Sequence, residues 1–403
     1  MSSKLVSGYC DPRFSGVADV FAAALESGYE VGATMAVEHL GERIIDLYGG
    51  YQDAAKSRPW QADTLVNVFS VTKGLVATCA ARLIEQGKLD IQRPVSEYWP
   101  EYGCAGKEQT LVRDLLCHRA SMFGFREPIP DDQWRDWSLF TDLLAAQQPF
   151  RTPGVSQSYH AMTFGWLVGE LIRRVDGRSV GQYFKQEIAE PLGLDFKIGI
   201  DRDDMQRCAD QLMAVGDKTT SRAEWLLYLP DILLSKRLRD IKTAVRLGDY
   251  RVAFSQALGA ADIINTEEWR MAEVPAANGH GTAASLATLY GVLSNGGARG
   301  DYHLLTPQTL DLATQVHSPG PDGALFGLPY KFGLGYMVDS PMTPISVVKG
   351  RFGHSGIGGE VAFGDRKNGL GFAFLNNQQH TMLNLYKTAN QLSKQLYKDI
   401  ASL

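Results

Sequence analysis

No run of basic side chains occurs anywhere in the 403 residues; 40 Lys and Arg stand against 45 Asp and Glu, for a net charge of -5 and a pI near 5.9. Nucleic acids and anionic membrane surfaces are bound through concentrated positive fields, so neither is expected as a partner. Cysteine is scarce. The five present (Cys10, Cys79, Cys104, Cys117, Cys208) are odd in number, scattered and without C-x-x-C spacing, which argues against a disulfide framework and against a zinc site. No stretch approaches the roughly 18 apolar residues of a spanning helix, and the opening MSSKLVSGYCDPRF lacks the apolar core of an export signal. A soluble, unexported, cytoplasmic protein with reduced thiols is therefore expected. G-x-S-x-G is also absent, which leaves the nucleophile elbow of the α/β-hydrolases without a candidate serine. No repeat or low-complexity tract interrupts the chain.

What is present is a globular balance, 44% hydrophobic and 21% charged, in a chain long enough for two or three compact units. Residues 13–28 carry apolar positions at helical spacing, and EVGATMAVEHL and ERIIDLYGGYQ read as two strands joined by a turn at Gly41. From Ser70, SVTKGLVATCAARLIEQGKL reads as a long helix, apolar on all sides and closed by Gly87. Between about 90 and 290 the strand signal largely disappears. Helical patches such as FTDLLAAQQ, FGWLVGELIRRV, SVGQYFKQEIAEPLGL and AEWLLYLPDILLSKRL alternate there with loops bearing Pro and Gly. After the helix TAASLATLYGVLSN and its Gly296-Gly297 stop, KFGLGYMVD, ISVVKGRFGHSG and GEVAFGDRKNGLGFAFLNN alternate like antiparallel strands, and LNLYKTANQLSKQLYKDI ends the chain as a helix. Neither strand group is large enough for its own sheet. The expectation is an α+β fold: one antiparallel sheet from both chain ends (1–88 and 291–403), flanked by N- and C-terminal helices, with a mostly helical domain (89–290) inserted and the site at their interface.

Ser70-Val71-Thr72-Lys73 falls at a strand-to-helix junction, where residues i and i+3 share a helix face. A serine hydroxyl becomes a useful nucleophile when a neighbouring base takes its proton, and a desolvated lysine can be that base. The helix start also favours a developing oxyanion. The four letters alone are common: Ser346-Val347-Val348-Lys349 matches equally well, but it sits in an apparent strand, where residues three apart point to opposite faces. An N-cap serine followed by a solvated lysine would also read this way. The surroundings set Ser70 apart.

Those surroundings, DTLVNVFSVTKGLVATCAARLIEQGKLDIQRPVSEYWPEY followed by TLVRDLLCHRASM, with PGVSQSYHAMTFGWLVGELI, NGHGTAASLATLYGVLSNGG and FGHSGIGG later in the same order, resemble the serine β-lactamase, penicillin-binding protein and family VIII esterase superfamily over residues 20–380. The resemblance implies that Ser70 is the nucleophile and that Tyr159, in Tyr159-His160-Ala161, lies close to Lys73 and shares acid and base work with it. It also implies that His354-Ser355-Gly356 is the strand motif beside the nucleophile, and that the N–H groups of Ser70 and Ile357 form the oxyanion hole.

Two departures from the superfamily pattern bear on substrate. The asparagine of the second motif is Ala161, and the lysine of the third is His354, an imidazole largely neutral at pH 7 by its reference value. A carboxylate-bearing β-lactam or peptide loses two contacts, and an uncharged ester fits better. The expected activity is a serine carboxylesterase acting on a small-molecule ester without metal or organic cofactor. β-Lactamase, D-amino-acid amidase or acyltransferase activity stand behind it, and a non-catalytic scaffold behind those. A homo-oligomer is compatible with these features. Phe123, Phe125, Trp225 and Tyr228 are candidates for an acyl pocket, though each is a residue type commonly found in cores. Glu170 reads as a helix-surface charge, and His354 as part of a Ser-His-Asp triad has no supporting pattern.

Overall fold

The computed structural model describes residues 5–130, 132–212, 229–231, 234–255, 263–345, 350–382 and 384–402. Its main sheet has eight strands: β1 (Val6–Cys10), β2 (Gly32–His39), β3 (Glu42–Gly50), β4 (Lys331–Phe332), β5 (Met337–Asp339), β6 (Arg351–Ser355), β7 (Val361–Asp365) and β8 (Leu370–Asn376). They run in the order β1-β3-β2-β8-β7-β6-β5-β4, every neighbour antiparallel. The chain ends do combine into one sheet, joined where β2 meets β8 in the register Met35 to Phe374.

The β2–β3 turn places Leu40 at φ 52° and Gly41 at φ 85°. Positive φ at both positions is the turn that matches the strand twist, and the exposed Leu40 accepts the left-handed strain. The edge strand β1 was not expected: five residues with three exposed positions give too little alternation to read. KFGLGYMVD, expected as one strand, is two short ones, β4 and β5, paired with each other through a glycine-bearing turn.

Alternation along the strands sorts the two faces by side-chain size. Met35, Val37, Phe363, Phe372 and Phe374 face the helices Ser15–Glu26 and Lys387–Ile400, which pack on each other. Ala36, Ala362 and Ala373 face the helix Ala283–Ser294. That helix comes so close that a Cβ on Gly371 would lie 2.1 Å from Ala287 O and 2.3 Å from Gly291 N; small residues there are a condition of the packing. The domain boundary expected at residue 290 falls inside this helix.

The helix Thr72–Glu85 is buried on nearly every side and packs on the helix Thr163–Asp176 and on β6. Gly87, at φ 68°, follows its end as expected. The helical part is built round an aromatic cluster in which Phe140 stacks on Trp166 at 4.2 Å and Trp134 meets Trp269 edge-on at 5.1 Å. Phe125 belongs to this cluster and Phe123 stacks on Phe150. Of AEWLLYLPDILLSKRL, residues 223–228 and 232–233, including Trp225 and Tyr228, lie outside the described residues, as do Ser346 to Lys349.

Glu170 departs from expectation. It is buried, and its carboxylate accepts hydrogen bonds from Trp137 Nε1 (2.7 Å), Arg173 Nε (2.8 Å) and Arg174 Nε (2.6 Å). Burial raises its pKa, but these donors outweigh burial and hold it below the usual range. Glu170→Ala is expected to lower unfolding stability by about 2–3 kcal/mol, the scale of hydrogen bonds to a charged group. Denaturant titration of mutant and wild type checks it.

A second, three-stranded sheet supports the site. Gly279–Gly281 lies between Val66–Asn67 and Phe196–Ile198, tying the segment before Ser70 to two parts of the helical region. Its strands are too short for a sequence pattern.

Candidate active site

Ser70 lies in a short 3-10 turn, Phe69–Val71, that runs into the helix Thr72–Glu85. Phe69 precedes it at φ 44°, a left-handed conformation costly for any residue but glycine and found where the surrounding structure fixes a functional turn. The surroundings do so here. Val68 N–H donates to Gly279 O at 2.9 Å, Thr72 Oγ1 donates to Phe69 O at 2.6 Å, and Gly279 N–H donates to Thr72 Oγ1 at 2.9 Å.

One helical turn on, Lys73 is fully buried with Nζ 3.0 Å from Ser70 Oγ, 2.7 Å from Ala161 O and 2.8 Å from Ala276 O. Desolvation alone holds it well below the ordinary lysine pKa. A neutral amine has two hydrogens and one lone pair. With both hydrogens on the two carbonyls, the lone pair faces the Ser70 hydroxyl, so the arrangement can take up the serine proton. Sequence reading missed Ala161 and Ala276 as partners, because a backbone carbonyl has no sequence signature.

Tyr159 stands over the same amine, with Lys73 Nζ 4.9 Å from its ring centre. Its buried hydroxyl makes no hydrogen bond of regular geometry among the described residues, although Ser70 is close enough to favour the phenolate. Burial dominates and raises the phenol well above its usual pKa. Tyr159 is therefore a proton donor in the resting protein.

Three buried imidazoles surround this pair, all kept neutral chiefly by burial. His160 and His354 are pushed down to about 3, and His118 well below its usual value. His160 Nδ1 donates to Ser158 O (2.7 Å) and Nε2 accepts from Met122 N–H (3.1 Å). His118 Nδ1 accepts from His160 N–H at 3.1 Å. His354 packs against Tyr159, ring centres 6.0 Å apart, and Ser355 Oγ points to Met337 Sδ at 3.5 Å. Neither lines the space in front of Ser70.

That space is a cavity of about 30 Å³ lined by Phe69, Ser70, Ala161, Met162, Phe254, Ile264, Trp269, Ala277 and Ile357. Larger clefts elsewhere, near Trp137 and near Arg366, do not include the serine. The expected aromatics Phe123 and Phe125 are core residues instead. The wall is formed by Phe254 and Trp269; Trp269 Nε1 donates to Asn67 Oδ1 at 3.1 Å. β6 ends against the turn that carries Ser70 so closely that a Cβ on Gly356 would lie 2.7 Å from Val68 O. Ile357 is thereby brought to the cavity, and neither its N–H nor that of Ser70 donates to a backbone carbonyl among the described residues. Two free N–H groups beside a serine can stabilise an oxyanion. The structure thus brings Ser70, Lys73, Tyr159 and Ile357 together, and puts the side chains of His354 and Ser355 behind them.

Among the described residues no group of His, Cys, Asp and Glu is arranged to hold a metal, and no helix is long and apolar enough to cross a membrane.

The family model described as Beta-lactamase matches residues 17–395. A curated relative from Mycobacterium tuberculosis, named Esterase/beta-lactamase LipL, is 33% identical over 386 residues, covering 94% of this chain and 84% of its own. Esterase EstB of Burkholderia gladioli is 29% identical over 193 residues, 43% of this chain and 48% of its own. The crystal structure of a family VIII carboxylesterase superposes with a TM-score of 0.83 at 34% identity, covering 96% of this chain and 99% of that one. A penicillin-binding protein homologue from Caulobacter crescentus gives 0.82 at 33% identity, with 98% and 99% covered.

Proposed function

The chain belongs to the Beta-lactamase family and is a serine hydrolase, and we propose that it is a carboxylesterase for small or medium uncharged acyl esters, working through a Ser70 acyl-enzyme. The observation that carries this reading is the buried Lys73 amine, held by two carbonyls with Ser70 Oγ 3.0 Å away beside an apolar cavity. In the reading, Lys73 takes the hydroxyl proton as Ser70 Oγ bonds to the ester carbonyl carbon. The N–H groups of Ser70 and Ile357 receive the oxyanion. As the tetrahedral species collapses, Tyr159 gives its proton to the departing alkoxide and is reprotonated by the Lys73 ammonium, so the alcohol leaves with the Tyr159 proton, the serine proton replaces it on Tyr159, and Lys73 returns to the neutral amine. Water then attacks the acyl-enzyme, with the same pair handling its proton.

Three features support an uncharged substrate. The imidazole of His354 is neutral where the superfamily pattern has a lysine. Ala161 offers no side-chain polar group, and the cavity wall is apolar. Esterase EstB of Burkholderia gladioli is named for ester hydrolysis, and the name of LipL includes it. A cytoplasmic location belongs to this reading, supported by cysteines that are all free.

The test is hydrolysis of short and medium p-nitrophenyl esters beside a chromogenic cephalosporin. Expected is ester turnover that vanishes in Ser70→Ala, with little cephalosporin cleavage. Fast, Ser70-dependent cephalosporin cleavage would replace the esterase reading with a β-lactamase one.

A further inference from the structure

Asp322 is a fully buried carboxylate that the cycle above does not use. It follows the turn Gly320-Pro321 and has amide N–H groups as its partners. Oδ1 accepts from the backbone of Tyr159 (3.0 Å), Ala324 (3.0 Å) and Leu325 (2.9 Å), and Oδ2 accepts from Gln157 Nε2 (2.9 Å). Gln157 cannot turn its amide round: Oε1 already accepts from Ser318 Oγ and from Gly320 N–H at 2.7 Å, and Nε2 also donates to Tyr330 O at 3.2 Å. The site therefore demands a residue that only accepts. An asparagine would aim its NH₂ either at Gln157 Nε2 or at three backbone N–H groups.

We propose that Asp322 is the positioning residue for Tyr159: its carboxylate clamps the Tyr159 main chain to the turn at residues 322–325 and so sets the phenol over Lys73 and beside Ser70. Burial lifts Asp322 to about 6 against the pull of its N–H donors, so the all-acceptor form prevails at neutral pH. Its charge also adds to the burial that keeps the Tyr159 phenol protonated.

This inference rests on the reading of Tyr159 as acid to the leaving alcohol, and leaving-group dependence tests the two separately. A p-nitrophenolate departs without a proton, whereas an alkoxide needs one. With esters sharing one acyl group, kcat/KM reports acylation alone, and Asp322→Asn is expected to lower it for the ethyl ester by about 10²-fold, the range of general acid catalysis, and for the p-nitrophenyl ester by only a few-fold. Tyr159→Phe is expected to show the same split. The double variant Gln157→Glu with Asp322→Asn restores a donor facing an acceptor between residues 157 and 322, though it gives up the 3.2 Å donation to Tyr330 O, and is expected to recover part of the lost ethyl ester kcat/KM, which also serves if the single variant folds poorly.

If Asp322→Asn, or the double variant, slows both esters equally while Tyr159→Phe shows the split, the positioning role is wrong and the mechanism stands. If Tyr159→Phe shows no split, the acid role of Tyr159 fails, and this inference with it.

Discussion

Ser70→Ala is expected to cut ester turnover by on the order of 10⁵–10⁶-fold, the scale seen when a serine hydrolase loses its nucleophile, while the thermal transition stays close to that of wild type. The side chain is only half-buried, and its removal takes one neutral contact from an amine that keeps both carbonyl partners. The proposed acyl-enzyme has no other route from this cavity: among its lining residues Ser70 is the one with a nucleophilic side chain. Mass spectrometry after treatment with a serine-directed phosphonate should show one adduct on wild type and none on the mutant. Labelling of Ser70→Ala at comparable rate would remove Ser70 from the mechanism. In the proposed cycle Ser70, Lys73 and Tyr159 act as a unit, so any two changes together should cost little more than the worse of the two.

Lys73→Met is expected to lower kcat by about 10³–10⁴-fold, the upper range for a lost general base, and to change how stability depends on pH. Burial holds Lys73 well below the ordinary lysine pKa. Between that lowered folded value and the ordinary one, the unfolded chain binds the proton and the native chain does not, so this group makes stability rise with pH over that window. The methionine variant lacks that slope. Its melting temperature should therefore vary less than that of wild type between neutral pH and about 10. Against the relief from burying an amine stand two carbonyls, Ala161 O and Ala276 O, that lose their donor, at about 1–3 kcal/mol each. Activity should rise with pH in the wild type as Lys73 loses its proton, and a stability slope unchanged by Lys73→Met would mean that the amine is charged in the native state.

Much of the site is legible in the sequence because Ser70 and Lys73 need only one helical turn to meet, and helical spacing is read directly. Tyr159 and the His354-Ser355-Gly356 strand are legible only through resemblance, since no local period links residues so far apart. Backbone geometry escapes reading. Nothing in the letters says that Ala161 and Ala276 would turn their carbonyls to one amine, or that Asp322 would gather four N–H groups. The acyl-pocket expectation fails for a related reason: Phe123 and Phe125 are aromatic and near the motif, but the cluster round Trp166 claims Phe125, and Phe150 claims Phe123. The long strands of the sheet were visible as alternation, whereas β1, β4 and β5 are shorter than the pattern requires.

The pairing of β2 with β8 also governs the order of events as the chain is made. Met35 emerges from the ribosome 339 residues before its neighbour Phe374. At about 5–20 residues per second, the hairpin β2–β3 must wait tens of seconds with one apolar edge open, and β6, which packs on the turn that carries Ser70, arrives late as well. Long-range closure of this kind slows folding and exposes strand edges meanwhile. A chain truncated before β8 is therefore expected to be inactive and, with the β2 edge left open, to aggregate.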